Sequence, residues 1–257
     1  MRLGARRLAR GTKRRVRALR QRISEFRYAL PSISLRSVVT RSVEVDDVIL
    51  DDICLPPYYG PDDHDDVSPF LSILRSRQPR IVVECGTGYG NSTANICRQC
   101  PEATVYTVNA LPEQIAGVVT TYTLSRDEIG RVYRAHGFAN RVVQIYGNTV
   151  TVDWSDYFDN SVVNLALIDA CHDVDYVISD FERILPYINE NGIVLLHDTH
   201  PSMKAHLRGS YLACMELRRR GHDVKHLEGT WWAIWRHRVR RRPLLRFAGA
   251  LRRGSRP

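Results

Sequence analysis

Two hydrophobic periods alternate along the middle of the chain. Between residues 68 and 236, short apolar runs that suit buried strands are separated by stretches whose apolar residues recur every three or four positions, as on one helix face. The pattern predicts helices at 68–77, 91–100, 174–188 and 203–220. It predicts strands at 80–85, 103–109, 141–147, 162–169, 192–197, 223–228 and 231–236, with an irregular, partly helical stretch over 111–138. Strands that alternate with helices form a parallel sheet covered on both faces, and the short link through Gly229 folds the last two strands into an antiparallel hairpin. The expected fold class is therefore α/β, a doubly wound, mostly parallel, seven-stranded sheet with a C-terminal antiparallel hairpin.

The flanks follow other patterns. Val16, Leu19, Ile23, Phe26 and Leu30 repeat at helical spacing among six arginines up to Pro31, which predicts a basic amphipathic helix. Residues 51–66, DDICLPPYYGPDDHDD, are dense in turn formers, acids and aromatics and read as a loop closing over something, with Tyr58 and Tyr59 as candidates to pack on a substrate and His64, Asp65 and Asp66 as candidates to approach a metal. Four segments result: a basic amphipathic start (1–41), an acidic loop or lid (42–67), the α/β domain (68–236) and a basic tail (237–257).

Charge sharpens this division. The net charge is +9. Residues 1–41 hold 13 bases against 1 acid and residues 236–257 hold 9 against none, leaving 15 bases and 27 acids in 42–235, a net of −12. An acidic body repels phosphate backbones, so nucleic acid is not the expected partner unless the tails bind it. The basic tails suit an anionic membrane surface, or packing against the chain's own body. No run approaches the roughly 18 apolar residues of a membrane span. A cytoplasmic chain is expected, in contact with the inner membrane face at most through its tails, and a homo-oligomer is a candidate assembly. The six cysteines are scattered, and the one C-x-x-C, Cys97 to Cys100, has no second pair to complete a zinc site, so free thiols are expected.

The chemistry concentrates at strand ends. Residues 81–90 read IVVECGTGYG, a strand ending in Glu84 followed by Gly86, Gly88 and Gly90, and then Asn91 and Ser92 at a helix start. A glycine turn between strand and helix offers bare N–H groups and a positive helix end to a nucleotide-like ligand. The dinucleotide fingerprint G-x-G-x-x-G is not matched, and an acid at Glu84 suits a cationic ligand better than a pyrophosphate. In a doubly wound sheet the ligand lies beyond the carboxyl ends of the strands, which makes Asn109, Asn148, Asp169 and Asp198 the other informative positions. Asp169 lies in VVNLALIDACHDVD (162–175) and Asp198 in GIVLLHDTH (192–200), each where an apolar strand stops. The helix between them makes these strands parallel, and adjacent strands stand about 4.8 Å apart, so two carboxylates there repel unless a cation such as Mg2+ or Mn2+ lies between them. His172 is three residues beyond Asp169 on the same loop. Helix capping by Asp169, Asp173 or Asp198 is the alternative for the acids.

The E-x-G-x-G-x-G turn resembles motif I of the class I S-adenosylmethionine-dependent methyltransferases, and the seven-stranded order with its terminal hairpin is that family's architecture, a Rossmann-like fold. The pattern I-D-x-x-H, a helix, then H-D resembles the metal-dependent O-methyltransferases that act on sugar hydroxyls of macrolides and related natural products. The resemblance covers roughly 66–236 and includes TLSRDEIGRVYR at 123–134. It implies that Glu84, Gly86, Gly88, Gly90, Asn91, Asn109 and Asn148 bind S-adenosylmethionine. It further implies that Asp169 and Asp198 hold the metal and that His172, with Asp169, serves catalysis. Asn109 and Asn148 stand where the family commonly has acids, for the ribose and the adenine. The expected activity is methyl transfer to a hydroxyl of a small molecule such as a glycoside or glycolipid. An RNA methyltransferase using the basic tails and a nicotinamide-dependent oxidoreductase are the rivals.

Overall fold

The structure, a computed structural model, describes residues 30–39, 67–115, 123–200 and 207–236. The basic helix expected over 16–30, apart from Leu30 itself, the acidic loop 51–66 and the basic tail 237–257 lie outside the described residues.

The elements are β1 (Ser32–Ile33), α1 (Val67–Arg77), β2 (Ile81–Cys85), α2 (Asn91–Gln99), β3 (Thr104–Asn109), α3 (Arg131–Ala135), β4 (Val142–Tyr146), β5 (Val163–Ile168), α4 (Val174–Ile184), β6 (Ile188–Leu196), α5 (Arg208–Arg219), β7 (Lys225–Leu227) and β8 (Ala233–Arg236). They form one sheet in the order β1-β7-β8-β6-β5-β2-β3-β4. Only β8 runs antiparallel to its neighbours β6 and β7. The expected doubly wound sheet and its hairpin are therefore present. An eighth strand is added where Ser32 and Ile33 pair in parallel with His226 and Leu227.

Alternation along the strands builds two cores. On β2, Val82 faces α1 and α2 with Phe70, Leu71, Leu74 and Ile96, whereas Val83 faces α4 and α5 with Phe181, Ile184 and Leu217. Phe181 is fully buried. Truncating such a residue to Ala costs about 3–5 kcal/mol. Both faces of the central strands are apolar because helices cover both, which explains near-continuous runs such as VNLALI in β5.

One boundary differs from the sequence reading. α4 ends at Ile184 rather than 188, and a 3-10 turn carries Pro186, which has no N–H to continue the helix. β6 then starts at Ile188 instead of 192. Its register against β5 shifts between Val163/Ile188 and Leu165/Ile193, so the polar stretch Asn189–Gly192 bulges out of the ladder and hides the strand's first residue from a hydropathy reading.

The strand order reverses at β2, which pairs with β3 on one side and β5 on the other. Ligand crevices in open parallel sheets form at such a reversal, beyond the carboxyl ends. Those ends carry the glycine turn, Asn109, Asp169 and the His197–Asp198 pair.

Candidate active site

The glycine turn follows β2 directly. Gly86, Gly88 and Gly90 all have positive φ, at 101°, 53° and 88°. At Gly86 the reason is also steric: a Cβ there would lie 2.1 Å from the carbonyl oxygen of Asp169. The turn is tied to β3 by Gly86 N–H and Thr87 N–H donating to Val108 O, and by Gly88 N–H donating to the side-chain oxygen of Asn109 at 3.0 Å. Asn109 thus shapes the turn with its carboxamide oxygen, while its Nδ2 donates to Ala110 O.

Glu84 lies beneath the turn. It is fully buried and accepts hydrogen bonds from Ser92, Thr93 and Thr107 at 2.5–2.6 Å. Burial pushes its carboxyl up to about 7, against the lowering effect of the three hydroxyls and with a further push from Asp169. A carboxylate enclosed in this way holds the first turn of α2 and has no face left for a ligand, so the structure places Glu84 under the expected donor site rather than in it. Asn91 opens α2 with its side-chain oxygen buried and without a hydrogen-bond partner. Asn148 accepts from Val150 N–H and lines an open cleft of about 430 Å³ with Gln114, Tyr146 and Tyr157. A glycine cradle, an orphaned acceptor at Asn91 and a cleft at Asn148 fit a nucleoside-bearing ligand.

The second cluster sits beyond β5 and β6, which pair in parallel as expected. The ladder continues past the strands: Asp169 N–H donates to Cys85 O and His197 N–H to Ile168 O, so the three chain ends lie side by side. One ligand atom each from Asp169, His172 and Asp198 falls within 4.8 Å of the others. His172 Nε2 stands 2.6 Å from Asp198 Oδ2 yet lacks the alignment of a hydrogen bond. His197 Nδ1 lies 3.2 Å from Asp169 Oδ1 and 3.6 Å from Asp198 Oδ1, and its ring rests on Trp232 with centroids 4.2 Å apart. Burial alone would lower His172, but the Asp198 and Asp169 carboxylates hold it above the ordinary histidine value. Burial would raise Asp169, and His197 and His172 outweigh it, holding that carboxyl low. Two carboxylate oxygens converging beside an imidazole fit a hard divalent cation such as Mg2+ or Mn2+, with the histidine free to act next to it.

Capping does not account for these acids. Asp173 occupies the N-cap of α4 without a side-chain cap bond. Asp198 has a φ of 55° and is nearly buried, a conformation uncommon outside glycine that persists only when its surroundings enforce it. Thr199 helps enforce it, its N–H and hydroxyl both donating to Trp231 O.

Sequence reasoning missed Gly209. Its helix α5 packs so close to the site that a Cβ would lie 1.8 Å from His172 O. An isolated glycine in a helical pattern was the available signal, since it often marks a close backbone approach. The thiols behave as expected: Cys85, Cys97, Cys100 and Cys214 are free and buried and Cys171 is free and partly exposed, while Cys54 lies outside the described residues.

Residues 83–199, which hold both clusters, match the family model described as a methyltransferase domain. Over that segment the chain is similar to a methyltransferase domain. That match agrees with the methyltransferase resemblance read from the sequence over that stretch. No curated protein matches the chain. Among solved structures, the chain is similar to an S-adenosylhomocysteine-bound methyltransferase of Podospora anserina, at 20% identity and a TM-score of 0.48, covering 66% of this chain and 77% of that one. It is also similar to an O-methyltransferase of tomaymycin synthesis from Streptomyces achromogenes, at 18% identity and a TM-score of 0.47, covering 67% and 80%. A TDP-rhamnose 3′-O-methyltransferase of calicheamicin biosynthesis gives 16% identity and a TM-score of 0.49, covering 65% and 76%. Among the described residues, no helix is long and apolar enough to cross a membrane.

Proposed function

We propose that the protein is an S-adenosylmethionine-dependent O-methyltransferase that acts on a hydroxyl of a small molecule, such as a glycoside or glycolipid, with the help of a divalent metal. The observation that carries this reading is the convergence of Asp169, His172 and Asp198 within 4.8 Å. Asp169 and the glycine turn meet at Gly86, whose Cα faces the Asp169 carbonyl.

Asp169 and Asp198 would hold the metal, and a bound divalent cation lowers the pKa of a coordinated hydroxyl and fixes its direction. The chain's own groups do the rest. The glycine turn, Asn91 and Asn148 would hold the donor, which would supply a methyl group on a sulfonium. Transfer of that methyl to the acceptor oxygen would form a C–O bond as the C–S bond breaks, leaving S-adenosylhomocysteine and a methyl ether. His172 receives the hydroxyl proton at its ring, and the carboxylate of Asp198 steadies the imidazolium. Bringing both reactants into line is the main rate advantage available to such a displacement.

The test is turnover of S-adenosylmethionine with a panel of hydroxylated acceptors, before and after treatment with a chelator and after return of Mg2+ or Mn2+. Activity that survives chelation removes the metal from the reading. Calorimetric binding of NAD in place of S-adenosylmethionine would overturn the donor, and a gel shift with RNA at physiological salt would redirect the acceptor.

A further inference from the structure

The segment 123–134 stood out in the sequence without a chemical role, and its position in the fold gives it one. Its Gly130, with φ 71°, lies against the donor turn: Gly130 N–H donates to Gly88 O and Val132 N–H to Tyr89 O, both at 2.9 Å. A Cβ on Gly90 would come within 2.9 Å of Gly130 Cα and 2.8 Å of the Tyr133 ring. Two left-handed glycines therefore pack against each other, and Tyr133 closes over them.

From Tyr133 a chain of hydrogen bonds runs under the turn. Its hydroxyl donates to Gln144 Oε1 at 3.1 Å, and Gln144 Nε2 donates to Thr87 Oγ1 at 2.9 Å and to Thr107 O at 3.2 Å. Thr107 gives its hydroxyl proton to Glu84 at 2.6 Å. It follows that Thr87 donates across the 2.7 Å contact to Thr107, so every link in the chain points the same way. The sheet register explains how this arises: Glu84 pairs with Thr107 and Thr107 with Gln144, one row across β2, β3 and β4. The residues two positions earlier in the same row, Val82, Val105 and Val142, are apolar and pack in the core beneath α1 and α2. A polar row on an apolar sheet face is costly to bury unless each member is satisfied, and here the members satisfy one another through Thr87, inside the G-T-G-Y-G turn, and end on Glu84.

We propose that Tyr133 and Gln144 are positioning residues for the methyl donor: through Thr87 they hold the Gly86–Gly90 turn in the shape that receives it, without touching it. This inference rests on the reading of that turn as the S-adenosylmethionine site. A row that served stability alone would leave donor affinity unchanged in any variant that still folds.

The experiment uses the full chain with Tyr133→Phe and Gln144→Leu, titrated calorimetrically with S-adenosylhomocysteine at a temperature where circular dichroism shows each variant as folded as the parent. Tyr133→Phe deletes one oxygen and is expected to weaken binding roughly threefold to tenfold, the size of one hydrogen bond, with Gln144→Leu weakening it more because both the acceptor of the Tyr133 hydroxyl and the donation to Thr87 are lost. In steady-state assays the donor KM rises by a larger factor than kcat falls. Should Gln144→Leu fail to fold, Tyr133→Phe decides alone. Unchanged affinity in the folded variants, with a parent that binds, overturns this inference and leaves the proposed function standing. A parent that binds no S-adenosylhomocysteine overturns the proposed function and this inference with it.

Discussion

The two halves of the crevice are built on opposite terms. Beyond β2 and β3, every polar side chain of the row from Glu84 to Tyr133 has a partner, and the turn above it is pinned by backbone hydrogen bonds that it donates to Val108 O and accepts from the N–H groups of Gly130 and Val132. Beyond β5 and β6, carboxylates and imidazoles crowd together with imperfect alignment, and Asp198 is held at a positive φ. In the first half, among the described residues of the row, the turn and the start of α2, only the Asn91 oxygen is buried without a partner, whereas the second is the half to which the proposed function assigns a cation and a substrate. A binding surface is best preformed, since a cradle that must be ordered on contact loses affinity, whereas a reacting centre keeps groups whose demands are met only as the reaction proceeds.

The comparison breaks most completely where the halves touch. Gly86→Val places a side chain on the Asp169 carbonyl at a backbone angle that valine does not tolerate. A loss of more than about 3 kcal/mol in chemical denaturation is expected, together with loss of donor binding. A stable, donor-binding variant would mean that the turn is not built as described. Next in size, Asp169→Asn and Asp198→Asn should each lower turnover by about a hundredfold or more, roughly 2.7 kcal/mol or more in the barrier, while S-adenosylhomocysteine affinity stays within a few-fold. Asparagine also tolerates positive φ, which keeps the test at 198 about charge. An equal fall in turnover and cofactor affinity would show that the halves do not divide the labour.

The buried row has a signature in pH. Glu84 titrates at about 7 in the folded protein, above its ordinary value, so the folded state holds its proton longer than the unfolded chain does. Stability from this group is full below about pH 4.5 and drains away as pH rises through 7, by on the order of 3 kcal/mol. Urea denaturation of Glu84→Gln at pH 5 and pH 8 should show a smaller difference than the parent. Some slope remains, because burial also pushes Asp180, on α4, up to about 7. An unaltered slope would locate the effect elsewhere. Smallest of the four, Asn109→Ala removes the acceptor of Gly88 N–H and should weaken S-adenosylhomocysteine about threefold to tenfold with little change in thermal midpoint.

Strand ends were legible because apolar runs that stop at an acid or amide are local text, and the doubly wound rule turns those stops into one crevice. That is how Asp169, Asp198 and His172 could be brought together without coordinates. Glu84 shows the limit. An acid at the end of a strand next to a glycine turn reads as facing a ligand, yet its role is set by Thr107 and Gln144, 23 and 60 positions further on, through a register that periodicity does not encode. Asn109 likewise reads as a ribose contact and is found pinning the turn. The two-residue β1 is too short to show a period, and Gly209 matters only because α5 happens to approach the His172 loop.

The close approach of Gly86 to Asp169 has a consequence for how such a crevice can change. With no room for even a methyl group between the two loops, neither can drift alone: a displacement of the aspartate strand end is transmitted at van der Waals range to the cradle beside it. The two loops therefore move as one seam, and room for change in the crevice lies at its rim.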